Sequence, residues 1–81
     1  MQAQEIQALL EQQLAGTSAT VNVMGNHIDI TIVGDIFVGV SRIKKQQLVY
    51  AVINELIASG EVHAVDFIKA YTTEEWQALR A

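Results

Sequence analysis

Cysteine is absent from this 81-residue chain. No disulfide can form, so the fold must rest on its apolar core. Nor can the chain hold an iron–sulfur cluster or a structural zinc by itself, because such sites are built mainly from thiolates. At most it offers two imidazoles, His27 and His63, to a metal whose other ligands come from elsewhere. Long apolar runs are missing too; none approaches the ~18 residues of a membrane span. The opening Met1-Gln2-Ala3-Gln4-Glu5 has no basic stretch and no apolar segment behind it, so no secretory signal is expected and the expected location is cytoplasmic. Positive charge is scarce. Five Lys and Arg stand against nine Asp and Glu, a net charge of −4, which argues against a grip on nucleic acid driven by overall charge.

Enzyme signatures are missing as well. There is no Gly-x-x-x-x-Gly-Lys-Ser phosphate loop, no Cys nucleophile and no Ser in a Gly-x-Ser-x-Gly elbow. The adjacent carboxylates Glu74 and Glu75 read as first-turn residues that favour a helix dipole. The expectation is a protein that is not an enzyme.

What is present is a folding pattern. At 51% hydrophobic and 17% charged, the chain is no disordered tail, and residues 1–81 are expected to form one small domain. Ile6, Leu9, Leu10 and Leu14 recur at helical spacing, which predicts a helix over about 3–15 ended by Gly16. The period then changes to two. Val21 and Val23, the turn pair Gly25-Asn26, then Ile28, Ile30 and Ile32 predict a β-hairpin with one apolar face. The stretch from Gly34 to Val40 has no clear period and predicts an irregular or one-turn helical connection that buries Phe37. Ser41 suits an N-cap. Leu48, Val49, Val52, Ile53, Leu56 and Ile57 then mark a long helix ended by Gly60. Residues 62–70 are β-branched and apolar, a third strand. Thr72 with Glu75 fits a capping box opening a short last helix that carries Trp76 and Leu79. The order α-β-β-α-β-α gives an α+β two-layer sandwich. Its three-stranded mixed sheet has strand three parallel to strand two, with helices on one face.

Three groups of residues invite a chemical reading. His63, just after a helix end, is either a surface histidine bonded to a carbonyl or an imidazole offered to a metal or to a pH switch. His27 opens the second strand and allows the same two readings. Arg42, Lys44 and Lys45 fall in the first turn of the long helix, the wrong end for cations. They are either solvated or paired with Asp35 or Glu61, or they form an anion-binding corner for phosphate, a carboxylate or an acidic partner. Tyr71 and Trp76 read as core or lid residues.

The stretch Val38-Gly39-Val40-Ser41-Arg42-Ile43-Lys44-Lys45-Gln46-Gln47-Leu48-Val49-Tyr50 resembles the signature of the BolA family. So do Val62-His63-Ala64-Val65, Lys69-Ala70-Tyr71-Thr72 and Glu75-Trp76. The resemblance implies a BolA-like fold similar to a type II KH domain. It also implies a non-enzymatic adaptor that pairs with a monothiol glutaredoxin in iron–sulfur trafficking or sensing. In such a pair a [2Fe–2S] cluster is shared. Cys and glutathione thiolates come from the glutaredoxin side, and the imidazole of the Val-His-Ala motif, here His63, from the other. Many relatives supply a second Cys or His from a longer loop between strands one and two; here that loop is only about Gly25-Asn26 and carries no Cys. His27, which is kept as a candidate metal ligand, matches a strand-start histidine found in many relatives rather than the loop ligand. Arg42, Lys44 and Lys45 would help dock the partner or the glutathione carboxylates. Some members are linked to transcription control and acid stress, so the alternative is a nucleic-acid-binding regulator using the Arg42/Lys44/Lys45 patch. Against it, Gly34 and Gly39 do not make the Gly-x-x-Gly clamp of RNA-binding KH domains. A monomer or weak homodimer is expected. In the family pattern Tyr-Thr follows the histidine seven residues on; here Tyr71 is eight after His63, which predicts a β-bulge near Asp66-Phe67.

Overall fold

The structure, a computed structural model, describes residues 3–25, 27–60 and 64–80. Its elements are α1 (Ala3–Gln13), β1 (Thr17–Met24), β2 (His27–Gly34), a single 3₁₀ turn (Asp35–Phe37), α2 (Arg42–Ala58), β3 (Ala64–Tyr71) and α3 (Thr73–Arg80). The sheet order is β1-β2-β3. β1 and β2 pair antiparallel from Thr17↔Gly34 to Met24↔His27, and β2 and β3 run parallel. This is the mixed three-stranded α+β arrangement that the sequence pattern predicts.

Period-two alternation puts Ile28, Ile30 and Ile32 on one face of the central strand, where all three are buried. Ala19 and Val21 of β1 and Ile68 of β3 extend that face. Ile6, Leu10 and Leu14 from the α1 region and Val49, Ile53 and Leu56 of α2 cover it, and Phe37 completes a single core. The connection after Gly34 buries Phe37 fully, as its irregular pattern predicts. Of the apolar residues that mark α2, Leu48 alone is exposed, at the margin of the buried stripe.

The local signals act as expected. Ser41 caps α2, its hydroxyl accepting from Lys44 N at 3.2 Å. Gly16 and Gly60, where helices end, take φ values of +79° and +83°. The capping box of α3 is reciprocal. Glu75 N donates to Thr72 Oγ1 at 3.0 Å and Thr72 N donates to Glu75 Oε1 at 2.8 Å.

The bulge is present. Ile28 pairs with Val65 but Asp29 pairs with Phe67, so Asp66 is the extra residue. Val65 packs against the core and Ile68 is buried, while Asp66 and Phe67 between them both face outward. Without the insertion, strict alternation would turn Ile68 away from the core. The expectation of helices on one face holds for α1 and α2. α3 stands apart. Its Trp76 ring lies 5.6 Å from Tyr71, which by alternation points away from the face that buries Ile68. Trp76 and Tyr71 are half-buried, a pair that ties α3 to the end of β3 rather than core residues.

Candidate functional site

Two polar constellations stand at opposite ends of the sheet. The first gathers at the N-terminal ends of β2 and β3. His27 opens β2, and its Cα partner across the parallel ladder is Ala64. The bulge sends Asp66 outward, and its Oδ1 lies 2.7 Å from His27 Nδ1. An ionised carboxylate only accepts hydrogen bonds, so the ring proton of a neutral His27 sits on Nδ1 and the Nε2 lone pair is left open. A carboxylate behind one ring nitrogen is the arrangement that orients a ligating imidazole. Both side chains are about half exposed, 57% for His27 and 50% for Asp66, so the ring is open to approach. His63 lies outside the described residues, and the described part of β3 begins at Ala64.

No three His, Cys, Asp or Glu side chains come together as a metal centre among the described residues. The described donor set is one imidazole, and the whole chain has no thiolate to add to it. Such a set fits an iron–sulfur cluster only as one contributed ligand, with thiolates supplied by another molecule.

The second constellation is a cavity of about 350 Å³ where the N-terminus of α2 meets the C-terminal end of β3 and the start of α3. Arg42, Lys45 and Gln46 line one side, Lys69 and Tyr71 another, and Glu75 the third. Lys45 Nζ donates to Glu75 Oε1 at 2.9 Å. The Thr72 backbone N–H, then the Lys45 ammonium, hold the Glu75 carboxyl below its ordinary value of 4.5. Gln46 is committed as well, its amide donating to the Ile68 carbonyl at 2.6 Å.

The three cations predicted as one corner are therefore divided. Arg42 and Lys45 line the cavity and Lys44 does not. Lys45 has a partner, but the carboxylate is Glu75 rather than Asp35, and Glu61 lies outside the described residues. Lys69, Tyr71 and Glu75 were not among the predicted site residues. The crossover topology carries the signal for them. In a parallel β–α–β unit the helix starts at the strand ends where the next strand finishes, so residues 69–71 and the first turn of α2 must meet. The same geometry separates the two constellations. His27 and Val33, the partner of Tyr71, are six residues apart along β2, about 20 Å. The cations thus stand far from His27.

Comparisons with known proteins bear on which family builds such a chain. A family profile described as BolA-like protein matches residues 10–75. The acid stress protein IbaG of Escherichia coli (strain K12) is 45% identical over 76 residues, 94% of this chain and 89% of that protein. Among solved structures, a bolA protein homologue from Coxiella burnetii superposes with a TM-score of 0.82 at 22% identity, covering 95% of this chain and 97% of its own. The BolA domain of SufE1 from Arabidopsis thaliana gives a TM-score of 0.77 at 28% identity, covering 90% and 93%. The first of these structures speaks to the fold alone; the family profile and the extent of sequence identity go further, and the chain belongs to the BolA family.

Proposed function

We propose that this protein is a non-enzymatic adaptor that pairs with a monothiol glutaredoxin in iron–sulfur cluster trafficking or sensing. The cluster is cargo rather than a resident group. Its thiolates come from the glutaredoxin cysteine and glutathione, and this chain lends imidazole. His63 of the Val-His-Ala motif is the first ligand and His27 the second candidate. The observation that carries the reading is the His27–Asp66 pair. An exposed ring has its Nδ1 fixed at 2.7 Å by a carboxylate that a β-bulge turns outward, and its Nε2 is left open. In a chain with no cysteine, that is the chemistry available for joining a sulfur-ligated iron site. The acid stress protein IbaG is a close enough relative to support a stress-response setting.

The experiment is visible circular dichroism of the protein mixed with a cluster-loaded monothiol glutaredoxin. Wild type is expected to change the spectrum on mixing, and His63→Ala to abolish the change. His27→Ala is expected to alter the spectrum or shorten the lifetime of the mixed species. A spectrum and lifetime that neither substitution moves would remove both imidazoles from the cluster and end the proposal.

A further inference from the structure

The cavity at the C-terminal end of β3 lies about 20 Å along the sheet from His27, away from the imidazole that carries the adaptor reading, and its chemistry is of another kind. Its volume, about 350 Å³, falls in the range of small-molecule sites, ~300–1,000 Å³. Three elements supply its polar groups, so it is no property of one helix end: Arg42 and Lys45 come from α2, Lys69 and Tyr71 from β3, Glu75 from α3.

The state of each charge indicates what fits. The Lys45 side chain is only 11% exposed, and its ammonium is met by Glu75, whose side chain is 51% exposed. A covered cation therefore keeps its counter-charge on the solvent side, where an entering anion can replace it. Arg42 has no ion-pair partner among the described residues and brings a guanidinium fork suited to oxygen pairs. Lys69 lines the wall, and its ammonium rests 4.9 Å from the centre of the Phe67 ring. Tyr71 lines the cavity as well, its ring 5.6 Å from that of Trp76. Three cations against one movable carboxylate call for an anion with more than one charge and several oxygens. A long polyanion is disfavoured by the chain's net charge of −4, whereas a small one meets only the cavity.

We propose that this cavity binds a small phosphate monoester, gripped by Arg42 and Lys45, with Glu75 acting as the resident counter-ion that the phosphate displaces. The site is independent of the adaptor reading, since its test involves neither histidine nor a cluster.

The test follows backbone amide resonances of the full chain while glycerol phosphate is titrated in, with inorganic phosphate as a separate arm. Saturable shifts are expected at Gln46, Lys69 and Tyr71, with tighter binding of the ester than of free phosphate. Arg42→Ala is expected to weaken binding about tenfold, the scale of a charge-assisted bidentate contact. Glu75→Gln is the decisive variant. An amide oxygen still accepts the Thr72 N–H of the capping box, but the counter-charge is gone. Affinity should rise about threefold, the scale of one exposed ion pair. A merely structural Glu75 would give no gain. Absence of saturation overturns the proposal, as does a Glu75→Gln affinity equal to or weaker than wild type, or free phosphate binding as tightly as the ester. A short single-stranded oligonucleotide that displaces the ester at lower concentration would also overturn it, assigning the cations to a nucleic-acid backbone instead.

Discussion

One oxygen of Glu75 accepts two hydrogen bonds, from Thr72 N at 2.8 Å and from Lys45 Nζ at 2.9 Å. Both favour the ionised form, which is why the carboxyl titrates below 4.5 in the folded chain. In the unfolded chain neither bond exists, and the group returns to its ordinary value. The folded state therefore binds the proton less readily than the unfolded state. Its contribution to stability is complete above the unfolded pKa and is lost as pH falls through the lowered folded value. We expect the stability difference between wild type and Glu75→Gln, from urea unfolding at a series of pH values, to be constant above about pH 5 and to shrink below it. A difference that stays constant down through the acid range would mean that Lys45 and the capping amide do not discriminate the two ionisation states.

At the scale of elements, the hairpin begins and ends on one tight contact. Thr17 and Gly34 are Cα partners in the ladder, and a Cβ added at Gly34 would stand 2.7 Å from Thr17 Cγ2 and 3.2 Å from the Gly16 carbonyl. The φ of Gly34 is −179°, extended backbone open to any residue, so space and not backbone freedom selects glycine here. Thr17 cannot swing its methyl aside freely, because its hydroxyl donates to the Leu14 carbonyl at 2.6 Å. Gly34→Ala is expected to destabilise by ~1–3 kcal/mol, the usual cost of overpacking. Thr17→Ser, which keeps the hydroxyl and removes the methyl, should recover part of that loss in a double-mutant cycle read by urea unfolding. Additivity of the two changes would show that the methyl is not the obstacle.

Elements are also where the sequence was most and least informative. Alternation at Ile28, Ile30 and Ile32, the Ser41 cap and the Thr72–Glu75 box are local rules, and the structure follows each of them. The bulge at Asp66 was legible because one surplus residue conflicts with a period of two. The partners of Lys45 and His27 were not. Each lies across the fold, 30 and 39 residues away, and depends on where α3 docks and on which way a bulged residue turns. Leu48 misled in the opposite sense. Its spacing fits the apolar stripe of α2, but the stripe is narrower than the pattern, and Leu48 borders a groove between α1 and α2 with Leu9 and Val52.

Over the whole molecule, one core carries both constellations. Each end of the sheet keeps its geometry only while β2 and β3 stay in register, and that register is held by side chains drawn from the three strands, α2, the 3₁₀ turn and the α1 region. Phe37 is the largest of the fully buried ones, and it comes from the 3₁₀ turn between β2 and α2 rather than from a regular element. Truncating a buried Phe to Ala costs ~3–5 kcal/mol through lost transfer free energy and the cavity left behind. A domain of this length has a total stability of roughly 4–12 kcal/mol, so the loss is a large share of the whole. Phe37→Ala is expected to lower the urea midpoint steeply and Phe37→Leu to lower it far less, since leucine keeps most of the volume. The two probes should be far-ultraviolet circular dichroism for the helices and Trp76 fluorescence for the β3–α3 junction, where Trp76 meets Tyr71. With one core, both signals must shift together in each variant. Separation of the two transitions would instead make the α3 end a unit that unfolds apart from the core, and the cavity between α2, β3 and α3 would then open independently of the His27 end.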